Sequence, residues 1–125
     1  MRAIFDTDLL IANDVPAVPE EIGISVVSLA ELHYGVLVAD AGQRGLRLRR
    51  LAALESRFSA LPVDSAVARN YGLVSSLVAE AGRQTRARSF DLLIAATALT
   101  HEAVLYTRNI KDFGGLETLI DVRPL

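Results

Sequence analysis

The chain has 125 residues, the size of one domain with little room for a second. Hydrophobic residues make up 51% of it and mean hydropathy is +0.33, more apolar than a lone small domain needs, so part of the apolar surface is expected to meet a partner. The absence of cysteine excludes disulfide scaffolds, zinc–thiolate sites and thiol nucleophiles, and a formal net charge of −2 excludes polyanion binding through bulk charge.

Residues 2–5 are a short apolar run ending at Asp6 and read as a buried strand. Asp6 and Asp8 interrupt the start, which argues against a signal peptide, and no apolar run approaches the roughly 18 residues of a membrane span. A cytoplasmic protein without a membrane segment is expected. Thr7 to Asn13 reads as a short helix or turn, Pro16 and Pro19 as a loop, and Ile22 to Val27 as a second strand. Ser28 is expected to open a helix through about Ala39. Gly42 and Gly45 are expected to separate it from another over Leu46 to Ser59. Leu61 to Val63 reads as a short strand, with Pro62 placing it near an edge or a strand start.

Asp64 to Ala81 reads as helix, terminated by Gly82, and 83–90 as a basic loop. Asp91 to Glu102 is the strongest helix. Its Leu92-Leu93-Ile94-Ala95-Ala96 segment is apolar on every side, so the helix is expected to be central and buried. Ala103 to Tyr106 and Leu119 to Val122 complete the strands. Strands alternating with helices predict a single α/β domain over 1–125 with a mainly parallel sheet.

Twelve of the thirteen basic residues are arginines, whose planar fork suits phosphate. Arg44, Arg47, Arg49 and Arg50 read as a solvated helix face with ion pairs. Arg83, Arg86 and Arg88 run straight into Asp91, which suits a place beside a site.

In an open parallel sheet, sites form beyond the carboxyl ends of the strands, where the crossover helices also begin. Asp6 follows the first strand, Glu31 lies in the first turn of the next helix, Asp91 begins the central helix, and Asn109 and Asp112 follow a later strand, so all five are expected at one edge. Clustered carboxylates need a cation or protons to stay together. Mg²⁺, or Mn²⁺ with similar ligand preferences, fits oxygen donors of this kind. Each acid also has a local explanation. Asp6 can cap the helix at Thr7, Ser28 and Glu31 form the S-x-x-E capping box, Asp91 can complement a helix dipole, and Asp112 can be an ordinary loop residue. Four such coincidences at one edge favour a metal site. Asp8 is expected to point away from Asp6. His33 and His101 lie inside helices and support no histidine site, and no phosphate-cradling glycine loop is present.

Four segments, in order along nearly the whole chain, resemble the PIN-domain family and its VapC-type toxins. They are Phe5-Asp6-Thr7-Asp8-Leu9-Leu10-Ile11, Ser28-Leu29-Ala30-Glu31-Leu32-His33-Tyr34-Gly35, Phe90-Asp91-Leu92-Leu93-Ile94-Ala95-Ala96-Thr97-Ala98 and Tyr106-Thr107-Arg108-Asn109-Ile110-Lys111-Asp112-Phe113. The resemblance implies a three-layer α/β/α sandwich, Mg²⁺- or Mn²⁺-dependent endonucleolytic cleavage of RNA, homodimers, and inhibition by a cognate VapB-like antitoxin that covers the site. It implies Asp6 and Asp91 as principal metal ligands, Glu31 as a further carboxylate, and Thr7 and Thr107 as polar supports. Many members carry an acid where this chain has Asn109. The nearby acid here is Asp112, so one ion is the safer expectation. Arg86, Arg88 or Arg108 are expected to contact RNA phosphates.

Other classes fit parts of the pattern. In a signalling receiver domain, Asp6 and Asp8 would bind Mg²⁺, Asp64 would be phosphorylated, and Thr107 and Lys111 would complete the site. The D-x-D at Asp6 and Asp8 also suits an aspartate-nucleophile phosphatase, which needs a longer chain. A catalytically silent PIN domain that only binds RNA or antitoxin would keep the fold without the chemistry.

Overall fold

A computed structural model describes all 125 residues. Five strands, β1 (Arg2–Phe5), β2 (Glu21–Ser25), β3 (Ser59–Leu61), β4 (Val104–Thr107) and β5 (Val122–Pro124), form one all-parallel sheet in the order β3-β2-β1-β4-β5. The crossovers are carried by α1 (Thr7–Ile11), α2 (Val26–Val38), α3 (Ala41–Arg57), α4 (Ser65–Glu80) and α5 (Ser89–Thr100), with single 3-10 turns at Arg86–Arg88 and Ile110–Phe113.

Alternation along the strands divides the core in two. Ile4 and Leu105 face a cluster with Val67, Val74 and Val78 of α4 and Leu92, Ile94 and Ala95 of α5. Ala3, Phe5, Ile24, Val104 and Tyr106 face the opposite side, where they meet Leu9 and Leu10 of α1, Leu29 and Leu32 of α2, and Leu54 and Phe58 of α3. Helices therefore cover both faces, as an all-parallel sheet requires, and the expected α/β/α layering holds. The segment Leu92 to Ala96 is buried apart from Leu93, because α5 packs against α4, α2 and the sheet. No helix is long and apolar enough to cross a membrane.

The local departures from expectation have physical causes. β2 stops at Ser25, whose hydroxyl accepts the Val27 amide at 3.0 Å and caps α2. The β-branched pair Val26-Val27 reads as strand but starts the helix, so Ser28 lies inside it. Gly42 and Gly45 belong to α3. The break between α2 and α3 is made by Ala39 and Asp40 in extended conformation. β3 runs Ser59–Leu61 and ends before Pro62, which has no amide to donate. Leu119 and Ile120 lie in a turn folded back on the Leu116 carbonyl, and the last strand forms after them.

The chain moves from β1 to β2 and β3 on one side and returns to β4 and β5 on the other. The direction of winding thus reverses at β1 and β4, and the crevice beyond their carboxyl ends is where such sheets bind ligands.

Candidate active site

Asp6 occupies that crevice because β1 ends at Phe5 and Asp6 caps α1. Its Oδ1 accepts the Thr7 amide at 2.8 Å, and its Oδ2 accepts the hydroxyl of Thr107, the last residue of β4, at 3.0 Å. The capping role is therefore real, and it still leaves lone pairs on both oxygens. Thr107 is fully buried and also accepts the Asn109 amide at 3.0 Å, which ties the loop after β4 to β1. Asp6 is 7% exposed, and burial pushes its carboxyl above the usual range against the downward pull of those two hydrogen bonds.

Glu31 reaches the same place from α2. Thr7 Oγ1 donates to Glu31 Oε1 at 2.8 Å and lies 2.9 Å from Ser28 Oγ. A carboxylate only accepts, so Thr7 uses its one proton on Glu31 and Ser28 must donate to Thr7. The capping-box expectation for Ser28 and Glu31 fails for this reason: Ser25 is the cap, and the fully buried Ser28 hydroxyl is turned toward α1. Burial raises the Glu31 carboxyl, helped by the charges of Asp6 and Asp8 and opposed by the Thr7 hydrogen bond.

Asp91 sits in the first turn of α5. Burial, then the charges of Asp6, Asp112 and Glu31, push it to about 6, with Arg88 the opposing influence. Asp112 comes from the 3-10 turn after β4 and adds its charge to both Asp6 and Asp91. Arg88 Nη1 donates to the Asp112 carbonyl at 3.1 Å and to its Oδ1 at 3.2 Å. Asp91 thus feels the charges of all three other acids expected at this edge. Asp8 is exposed, as expected, yet its charge also reaches Asp6 and Glu31.

Other expectations separate from this group. Arg108 is exposed and paired with Asp14 at 2.7 Å. Asn109 acts through its backbone amide, so the charge after β4 comes from Asp112. Arg44, Arg47 and Arg50 donate to the carbonyls of Ala39, Gly35 and Ile11, not to acids. His33 faces Glu55 at 3.6 Å, and His101 lies against Arg2. Asp64 caps α4 by accepting the Val67 amide at 3.0 Å, beyond the edge strand β3, and is no partner for Asp6. Two neighbours escaped the sequence reading. Ser28 was hidden by a capping motif, and Phe90, 53% exposed beside Asp91, by its place at the end of a stretch that reads as a basic loop.

The donors here are hard carboxylate oxygens, and those of Asp6, Glu31 and Asp91 have their proton affinity raised by burial first and by neighbouring charges second, a set that suits Mg²⁺ or Mn²⁺. No three carboxylate or imidazole groups already enclose an ion position. Mg²⁺ asks less, since one or two carboxylates with waters and a substrate phosphate complete its shell.

The family model for the PIN domain matches residues 5–113. Ribonuclease VapC5 of Mycobacterium tuberculosis is 36% identical over 122 residues, covering 91% of this chain and 87% of that protein. Ribonuclease VapC4 of the same organism is 33% identical over 114 residues, covering 86% of each. Among solved structures, VapBC-5 of M. tuberculosis, a member of the VapBC family of toxin–antitoxin systems, superposes with a TM-score of 0.82 at 33% identity, over 99% of this chain and 97% of that one. VapBC2 of Rickettsia felis, bound to a DNA fragment from its promoter, gives 0.84 at 26% identity, over 100% and 99%.

Proposed function

The chain belongs to the PIN-domain family, and from that premise we propose that it is the toxin of a toxin–antitoxin pair, a divalent-metal-dependent endoribonuclease held in check by a cognate VapB-like antitoxin. The observation that carries the reading is the convergence of Asp6, Glu31, Asp91 and Asp112 at the β1–β4 crevice, the first three with carboxyls raised by burial and by neighbouring acidic charges. Ribonucleases among the relatives and toxin–antitoxin complexes among the solved structures support it.

In this reading Asp6 and Asp91 would be the principal holders of Mg²⁺ or Mn²⁺, with Glu31 as a further carboxylate. When bound there, a divalent ion would supply Lewis acidity toward the phosphate and a lower pKa for a neighbouring water. Water's oxygen bonds to phosphorus as one ester P–O bond breaks, leaving a phosphate end and a hydroxyl end. Thr107 and Thr7 fix the Asp6 and Glu31 carboxylates by the hydrogen bonds described above. Asp112 holds Arg88 at the rim. Arg86 remains the free candidate for RNA phosphate, whereas Arg88 is paired with Asp112 and Arg108 with Asp14.

A groove of about 640 Å³ between α2 and α3 gives the antitoxin a path. Leu32, Val36, Leu46 and Leu54 line it, Arg47 and Arg50 edge it, and it opens onto Thr7 and Glu31. An apolar segment lying there would arrive at the acids. Exposed Tyr34, Leu37 and Val38 on α2 leave further apolar surface for the antitoxin or for a second copy in a homodimer.

Total cellular RNA treated with wild-type protein and Mg²⁺ is expected to give discrete fragments, with none in EDTA or from Asp6→Ala. Intact RNA in every lane, from folded protein free of antitoxin, would defeat the reading. Ser28→Ala is expected to weaken Mg²⁺ binding by roughly tenfold in calorimetric titration, the usual scale for a group that orients a metal ligand, with Ser28→Thr restoring it. Unchanged affinity in Ser28→Ala would deny the hydroxyl chain a part in holding Glu31.

A further inference from the structure

We propose that the cleft beside the acids is a nucleobase subsite, in which Phe90 stacks on a base next to the cleaved phosphate and Arg86 holds a neighbouring phosphate. This rests on the ribonuclease reading and names the part of the RNA that the acids do not address.

An open cleft of about 350 Å³ is lined by Glu31 of α2 and by Arg86, Arg88, Phe90 and Asp91 at the start of α5 and just before it. Phe90 is an anomaly of its helix. Leu92, Ile94, Ala95 and Ala96 are fully buried, yet the Phe90 ring is half in solvent. It has no aromatic or cationic partner: the ring pair of the chain is Phe5 with Tyr106, and its cation–π contact joins Arg57 to Phe58. Both features leave a ring face available. Arg88 is occupied by Asp112, whereas the exposed Arg86 spends no side-chain donor within the chain; its carbonyl accepts from the Ser89 hydroxyl and amide.

A free aromatic face beside a free guanidinium is the combination that holds single-stranded nucleic acid. Every base offers a π-face, and the cation takes the backbone. The chemistry of this edge calls for it, because the acids repel the phosphates they must receive. Stacking adds affinity without charge, and Arg86 offsets the repulsion locally. The charged walls of the cleft disfavour an apolar protein segment, which the α2–α3 groove accommodates better.

The chain contains no tryptophan, so Phe90→Trp introduces a single fluorescent reporter at the proposed stacking position. In an Asp6→Asn background, which blocks cleavage, a single-stranded RNA of roughly ten nucleotides is expected to quench this fluorescence, and a base-free ribose-phosphate chain of equal length is not. In otherwise wild-type protein, Phe90→Leu is expected to raise KM for RNA roughly tenfold while kcat falls much less, and Phe90→Tyr is expected to restore KM. Equal quenching by the base-free chain, or wild-type KM in Phe90→Leu, overturns the subsite. So does a Phe90→Leu protein that loses antitoxin affinity at unchanged KM, which assigns the ring to protein docking. Failure of the ribonuclease reading has a different signature: wild-type protein that neither cuts nor binds RNA.

Discussion

Asp91→Asn is expected to abolish RNA cleavage, by roughly a thousandfold or more, and to raise the thermal stability of the metal-free protein at neutral pH. The two effects have one origin. Asp91 is displaced to about 6 by burial and by the charges of Asp6, Asp112 and Glu31, so at pH 7 it is ionised in surroundings that resist the charge. Asparagine keeps the shape and removes the charge. It relieves the repulsion and leaves, in the proposed site, one neutral carbonyl oxygen where the ion would meet a charged carboxylate. The competing explanation of Asp91 has the opposite sign: an acid that only complements the dipole of α5 stabilises the helix by about 0.3–1 kcal/mol, and its loss lowers stability. Thermal unfolding in EDTA, paired with cleavage assays in Mg²⁺, separates the two. Inactivity with a higher melting temperature supports the metal site; a lower melting temperature with cleavage intact makes Asp91 a helix-stabilising residue alone.

The central architecture was legible because it rests on contiguous patterns. A segment apolar on all sides, Leu92 to Ala96, can only be a buried helix, and short apolar runs ending at Asp6 and near Thr107 can only deliver polar residues to a sheet edge. From there the parallel topology placed Asp6, Glu31, Asp91 and Asp112 without any knowledge of contacts. What was not legible depends on competition between neighbours. Ser25 and Ser28 are equally good caps by composition. The choice fell to Ser25 because its hydroxyl reaches the Val27 amide, which left Ser28 for Thr7. Gly42 and Gly45 look like breakers, yet each costs a helix only about 1 kcal/mol, less than the packing of Leu51 and Leu54 returns at the far end of α3. Arg108 and Arg88 are indistinguishable as sequence. Their partners, Asp14 and Asp112, lie far along the chain and decide which one stands beside the acids.

Mild acidification is expected to weaken Mg²⁺ binding and to relieve strain in the metal-free fold, two opposite responses to the same protons. Between the ordinary aspartate value of 3.8 and about 6, folded Asp91 holds a proton that the unfolded chain has released. When the folded state binds the extra proton, stability falls as pH rises through that window. The cost is absent below about pH 4 and complete above about pH 6. Asp6 and Glu31 are displaced in the same direction and add to it. Binding of a divalent ion must displace these protons. For Asp91 alone, roughly one site in eleven is unprotonated at pH 5 and ten in eleven at pH 7, which gives about a tenfold difference in apparent affinity. Other groups titrate over the same range, so the difference between wild type and Asp91→Asn isolates this one. In EDTA the variant's stability advantage should be small near pH 4 and grow toward pH 7. In Mg²⁺ the rise in melting temperature of the wild type should be larger at pH 7 than at pH 5. An ion increment that is equal at both pH values, and retained in Asp91→Asn, would place the ion away from these carboxylates, because no ligand set sharing protons with Asp91 can bind it independently of pH.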